Sequence, residues 1–149
     1  MIKNENYWNY IDIVSSNLES RMPRGKCNIL ISGVSGMIGA VLTDILLYSN
    51  RIYGTQYNVT GIGRGKGHAE EMFSEYKDDD GFRFVQHDIN NALAEAGVVD
   101  YIIHAASNTH PVDYSIDPIG TITANVIGTN NLLEYAVSHG CRRFVFLSS

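Results

Sequence analysis

A short apolar run, Cys27-Asn-Ile-Leu-Ile-Ser32, ends on Gly33, and Gly36 and Gly39 follow at three-residue intervals. The run has the character of a strand buried on both faces. Ile38, Val41, Leu42, Ile45 and Ser49 then recur at helical spacing, which predicts a helix over 37–49. Three glycines wedged between a buried strand and a helix restrict the chain severely. Gly33 permits a tight turn, Gly36 lets a phosphate group approach bare backbone, and Gly39 lets the helix lie close on the sheet. The first N–H groups of the helix, near Met37 and Ile38, have no intrahelical acceptor and suit an anion. Gly33, Ser35, Gly36, Met37, Ile38 and Gly39 are therefore the candidate cradle for a pyrophosphate.

The rest of the chain repeats the strand-then-helix alternation. YNVTGIG (57–63) predicts a second strand, FRFVQH (82–87) a third, VDYIIHAA (99–106) a fourth and RRFVFLSS (142–149) the start of a fifth. Between the second and third, Ala69, Met72, Phe73 and Tyr76 fall at helical spacing ahead of the acidic run Asp78–Asp80. Asp88 reads as the cap of a short helix over 89–96. Asp117-Pro118 opens a longer helix bearing Ile119, Ile122, Val126, Leu133 and Val137, closed by Gly140. Such alternation predicts a parallel sheet with helices on both faces.

Ahead of this body, Tyr7, Tyr10, Ile11, Val14 and Leu18 form a helical stripe, followed by a linker over Met22–Lys26. The stripe either packs on its own domain or meets another subunit or a further part of the chain. The division expected is residues 1–26 as helix and linker and 27–149 as the nucleotide-binding body.

Composition removes several classes of function. A net charge of −5 makes nucleic acid a poor partner. Cys27 and Cys141 compose neither a metal framework nor a disulfide scaffold, and each adjoins a predicted strand. No metal site and a reducing compartment are expected. The opening MIKNENYWNYIDIV lacks the apolar core of a signal peptide, and no run approaches membrane-spanning length. A cytoplasmic location is expected.

Further candidates lie at the ends of the predicted strands. After the second, Gly61-Ile-Gly-Arg64-Gly-Lys66 carries no acid until Glu70, where an acid on the adenosine ribose is usual. Arg64 and Lys66 suit a ribose 2′-phosphate, which points to NADP, or they are solvated surface charges. Asp88 and Ile89 follow the third strand, where Asp88 either accepts from an adenine amino group or caps the helix. His104-Ala105-Ala106-Ser107 ends the fourth strand with small residues that leave room for a cofactor; His104 reads as a packed, hydrogen-bonded core residue.

These segments resemble, in order, the extended short-chain dehydrogenases/reductases. The residues that carry the likeness are Gly33–Gly39, Asp88-Ile89, His104–Ser107, Asn125-Val-Ile-Gly128-Thr-Asn-Asn-Leu-Leu-Glu134 and Phe144–Ser149. The chain is similar to the nucleotide-sugar epimerase/dehydratase branch, in particular to dTDP-glucose 4,6-dehydratase-like and UDP-glucuronate decarboxylase-like proteins. The resemblance implies an α/β, Rossmann-like doubly wound sheet of five strands behind an N-terminal helix. It implies NAD or NADP as cofactor, a nucleotide-sugar substrate and a homodimer of the complete enzyme. It places Ala105, Ala106 and Ser107 on the path to the nicotinamide and Asn125 near the cofactor phosphates. Ser149, with Ser148 as the fallback, matches the catalytic Ser/Thr.

One departure is decisive for chemistry. The family's reaction uses a Tyr-x-x-x-Lys pair, with Tyr as base and Lys lowering its pKa. The fourth residue after each of the nine tyrosines is Ile11, Val14, Ile52, Tyr57, Gly61, Asp80, Ala105, Pro118 or His139. None is Lys. The expectation is an N-terminal piece of such an enzyme, inactive alone; the alternative is a non-catalytic dinucleotide-binding module. A further expectation is that Phe144, Phe146 and Leu147 lie on an open sheet edge and promote self-association.

Overall fold

The computed structural model describes residues 3–22, 25–94, 96–107 and 115–148. Ser149 and residues 108–114 of the segment after the fourth strand lie outside them.

Five strands, β1 (Lys26–Ser32), β2 (Gln56–Gly63), β3 (Phe82–Gln86), β4 (Tyr101–His104) and β5 (Arg143–Phe146), form one sheet in the order β3-β2-β1-β4-β5. Every pairing is parallel, with Lys26 opposite Gln56, Ile29 opposite Tyr101, Val59 opposite Phe82 and Tyr101 opposite Arg143. The chain builds outward from β1 to β3 and then restarts on the other side of β1. That reversal opens a crevice above the carboxyl ends of β1 and β4. The fold is Rossmann-like, as its alternation of elements implies.

Alternation along β1 divides the core. Cys27, Ile29 and Ile31 face α2 (Met37–Tyr53) and α3 (Lys66–Met72), together with Leu47, Val59 and Phe73. Leu30 faces the opposite layer with Ile62, Ile102, Leu132, Tyr135 and Ala136. That layer is a single helical run: α4 (Pro118–Thr123), a π-helical turn (Ala124–Gly128) and α5 (Thr129–Ser138). Asp117 accepts from Gly120 N at 2.8 Å and Pro118 occupies the first turn, as the Asp-Pro signal predicts.

The N-terminal helix α1 (Glu5–Glu19) is capped by Asn4, whose side chain accepts from Tyr7 N at 3.0 Å. It lies on α2, on the body of its own domain. Its predicted stripe splits, however: Ile11 is buried and Leu18 packs on the core, while Tyr10 is 72% and Val14 44% exposed. Polar contacts cause the rotation. Buried Ser15 donates to Ile45 O at 3.1 Å, and Asp12 accepts from Tyr53 at 2.7 Å. Asp44, wholly buried on α2, accepts from Lys3 at 2.8 Å, from Tyr76 at 2.7 Å and from Tyr7.

The predicted helix over 89–96 is absent from the described residues of that segment; a turn at Ile89–Asn90 leads into irregular backbone. Asp88 Oδ1 accepts from Asn90 N at 3.0 Å, forming a turn instead of a helix cap. Side chains from elsewhere satisfy the backbone that a helix would have used. Tyr135 OH accepts from Ala96 N at 3.1 Å and donates to Gly97 O at 2.7 Å, and Arg83 donates to Ala96 O at 2.9 Å.

Candidate functional site

The loop after β1 closes as the glycine spacing requires. Gly33 sits at φ +69°, and its N–H donates to Ile62 O at 3.0 Å, which ties the loop to β2. Gly36 N donates to Gly33 O at 3.0 Å, and Gly36 is the N-cap of α2 without any side-chain cap. The amino end of α2, a helix of 17 residues, is thus presented by bare backbone. Gly39 serves packing, since a Cβ there would lie 2.4 Å from Gly33 O.

Around this loop the carboxyl ends of the strands enclose a cleft of about 590 Å³. Gly33, Ser35 and Gly36 form one wall, Ile62 to Gly65 and His87 to Asn90 a second, and Ala105 to Ser107 with Asp117, Gly120 and Ala124 the third. Of the residues singled out in the sequence, Gly33, Ser35, Gly36, Arg64, Asp88, Ile89, Ala105, Ala106 and Ser107 all meet here. Met37, Ile38 and Gly39 are not on the lining; Met37 and Ile38 are exposed at the first turn of α2. Asn125 stands one residue behind Ala124 and reaches the wall through Ser107, whose hydroxyl donates to Asn125 Oδ1 at 2.9 Å. Lys66 turns away from the cleft toward Glu70, 3.7 Å distant. Ser149 lies outside the described residues.

Ile89 is anchored from behind. Asn131 donates to Ile89 O at 2.8 Å, and Gly128 is so near that a Cβ would lie 2.6 Å from Ile89 Cδ1. His104 is fully buried beneath the cleft and hydrogen-bonded at both ring nitrogens, to Ser32 at 2.7 Å and Thr129 at 3.1 Å. The sequence reading of His104 as a core residue agrees. Asn90, Asp117 and Gly120 also join the walls, and no local sequence signal marks them for a site: Asn90 is placed by the turn that Asp88 Oδ1 closes, and Asp117 and Gly120 by the cap of α4.

The lining fits an adenine dinucleotide. Gly33 and Gly36 leave the backbone uncovered for a phosphate. On the second wall Asn90 Oδ1 is buried with no hydrogen-bond partner among the described residues, an acceptor suited to a ligand hydroxyl or amino group.

Residues 29–149 match the model of the NAD dependent epimerase/dehydratase family. The chain belongs to that family. A UDP-glucuronic acid decarboxylase of Arabidopsis thaliana is 31% identical over 125 residues, 83% of this chain and 34% of that protein. A dTDP-glucose 4,6-dehydratase of Streptomyces antibioticus is 34% identical over 129 residues, 82% of this chain and 37% of that protein. The crystal structure of a dTDP-glucose 4,6-dehydratase from Streptomyces venezuelae, solved with NAD bound, superposes with a TM-score of 0.67 at 27% identity, covering 78% of this chain and 38% of that one. A UDP-galactose 4-epimerase superposes with a TM-score of 0.66 at 27% identity, over 82% of this chain and 38% of that one. The chain thus spans about a third of the length of these relatives.

Proposed function

We propose that this chain supplies the dinucleotide-binding part of an NAD(P)-dependent nucleotide-sugar enzyme, a lyase of the dTDP-glucose 4,6-dehydratase kind. UDP-glucuronate decarboxylation or 4-epimerisation is the alternative outcome of the same first step. The observation that carries this reading is the cleft at the strand-order reversal, walled by the bare Gly33–Gly36 backbone in a chain of this family.

In this reading the Gly33–Gly39 loop holds the pyrophosphate at the amino end of α2. Gly33, Ser35 and Gly36 line the cleft, Met37 and Ile38 offer first-turn N–H groups, and Gly39 lets the helix lie close on the loop. Asp88 and Ile89 receive the adenine. Asp88 Oδ1 already accepts from Asn90 N, so Oδ2 is the oxygen offered to an adenine amino group. Ala105, Ala106 and Ser107 pass the cofactor toward the substrate, and Asn125 orients Ser107. When bound, NAD(P) supplies the hydride acceptor. Ser149, or Ser148, would hydrogen-bond the sugar hydroxyl. The general base belongs to a Tyr-x-x-x-Lys pair, which the 149 residues do not contain. The body is residues 27–149, with 1–26 as its helix and linker, and the complete enzyme is a cytoplasmic homodimer. Among the described residues no helix is long and apolar enough to cross a membrane.

Arg64 lines the cleft beyond β2, where an acid is usual, so NADP is expected to bind at least as well as NAD. Calorimetry with each cofactor tests both points. Binding of either without sugar turnover supports the reading, and absence of heat at millimolar ligand with a folded sample overturns it. Arg64→Ala is expected to weaken NADP selectively; equal loss for both would assign Arg64 to the adenine instead. Continuation of the coding sequence into a Tyr-x-x-x-Lys would favour the enzyme over a non-catalytic module.

A further inference from the structure

Four polar groups beneath the cleft form a chain whose direction can be worked out. Thr129 Oγ1 lies 2.6 Å from Asn125 O, a carbonyl that can only accept, so the Thr129 hydroxyl proton is committed there. Thr129 Oγ1 also lies 3.1 Å from His104 Nε2 and, with its proton spent, must accept from it. Nε2 therefore carries the hydrogen. In a neutral imidazole Nδ1 is then an acceptor, so the Ser32 hydroxyl donates to it across 2.7 Å. The ring is wholly buried, with the Phe146 ring centroid 5.2 Å and that of Phe144 6.2 Å from its own. Burial holds the imidazole below its ordinary pKa, in the neutral form this chain requires.

The two ends of the chain belong to opposite walls of the cleft. Ser32 precedes Gly33, whereas Asn125 lies in the π-helical turn with Ala124, which lines the cleft, and Gly128, which supports Ile89. A π turn inside an α-helix is uncommon and recurs at functional sites. Here its Asn125 carbonyl receives the Thr129 hydroxyl.

We infer that His104 is a positioning residue: as the Nε2–H tautomer it completes a one-way chain, Ser32 to His104 to Thr129 to Asn125 O, that sets the spacing between the Gly33 loop and the helix turn facing it. This deepens the dinucleotide reading and rests on it. The role needs no titration and no contact with the cofactor.

The test combines a tautomer measurement with binding. In the purified protein labelled with ¹⁵N-histidine, long-range ¹H–¹⁵N spectra should show His104 protonated at Nε2. Thr129→Val, which keeps the shape but removes donor and acceptor, should weaken NAD⁺ or NADP⁺ binding about tenfold, the scale of one buried polar group left unpaired. Thr129→Ser should restore both affinity and tautomer. Ser32→Ala breaks the chain at its other end and should act like Thr129→Val; it serves where that variant does not fold. Tyr135→Phe removes the helix anchor at Ala96 and Gly97 without touching the chain, so it should lower the melting temperature and leave affinity unchanged. An Nδ1–H tautomer overturns the inference. So does affinity within twofold of the parent in both chain variants, or an equal loss in Tyr135→Phe. Absence of binding by the parent protein overturns the dinucleotide reading and the positioning role with it, while leaving the tautomer itself measurable.

Discussion

The backbone at Gly33 passes so close to Ala106 that a Cβ at position 33 would stand 2.7 Å from Ala106 Cα. Gly33 also holds φ +69°, a region that costs an L-residue roughly 1–2 kcal/mol before any clash. Both obstacles are backbone, so neither relaxes by a rotamer change. Gly33→Ala is expected to destabilise the fold by about 3 kcal/mol, combining strain with overpacking. Urea unfolding followed by circular dichroism checks this; a loss below about 1 kcal/mol would show that β1 and β4 can separate at little cost.

Why Gly33 was legible from sequence and other features were not has a physical answer. A buried strand, a glycine and a helical repeat are local signals, and they located every strand of the sheet. Ile89, Leu93 and Ala96 also fall at near-helical spacing, and all three are buried, yet the described residues of 89–96 are not helical. Their burial follows from packing against α5, and Tyr135 and Arg83 satisfy the backbone from a distance. The π turn was equally hidden. Its hydrogen-bonding surroundings include Thr129 and His104, 25 residues apart, and periodicity read the helix as uniform. On α1 an apolar stripe suggested Tyr10 and Val14 for the buried face, but the polar contacts of Tyr7, Asp12 and Ser15 decide the rotation.

Asp44 joins three elements through a single buried carboxylate. Lys3 precedes α1, Tyr7 lies on α1 and Tyr76 follows α3, and all three donate to it. Lys3 also pairs with Glu75, which extends the network to the surface. Asp44→Ala would leave the Tyr7 and Tyr76 hydroxyls without their acceptor and the Lys3 ammonium with Glu75 alone. A loss of about 3 kcal/mol is expected, with Asp44→Asn costing less because an acceptor oxygen remains. Proteolysis of α1 should accelerate in parallel. If α1 resists cleavage in Asp44→Ala as in the parent, its attachment rests on apolar contact alone.

Stability should fall on the alkaline side. Burial first, and the Asp100 charge second, push the Cys27 thiol up to about 11. Burial and the bond to Asp44 likewise raise Tyr7 and Tyr76 above the ordinary phenol range. In each case the folded state holds the proton more tightly than the unfolded chain. The stabilisation is therefore complete below the unfolded values, about 8.5 for Cys and 10 for Tyr, and is lost as pH rises toward the folded ones. The urea midpoint should decline from about pH 9 upward, and Cys27→Ala should flatten the part between 9 and 11. At pH 8 a thiol-specific reagent should label half-buried Cys141 and spare Cys27 until the protein unfolds. Equal labelling of both under native conditions would contradict the burial of Cys27.

The last expectation concerns β5. Among the described residues it pairs with β4 alone, so its outer side offers unpaired N–H and C=O groups. Phe146 on β5 and Leu147 just beyond it are 44% and 37% exposed and, with Val145 at 40%, make an apolar fringe along that edge. Phe144, also expected there, is instead half-buried against the core layer that holds Leu30 and Ile102. A strand edge and an apolar fringe together form a template for another chain, and a net charge of −5 opposes association only weakly at physiological ionic strength. Sedimentation of the 149-residue chain across a concentration series should therefore show self-association. Val145→Lys places a charge on the edge and should shift the distribution toward monomer. A parent protein that stays monomeric to high micromolar concentration would mean that the edge is protected, and would favour a self-contained binding module over a part of a larger enzyme.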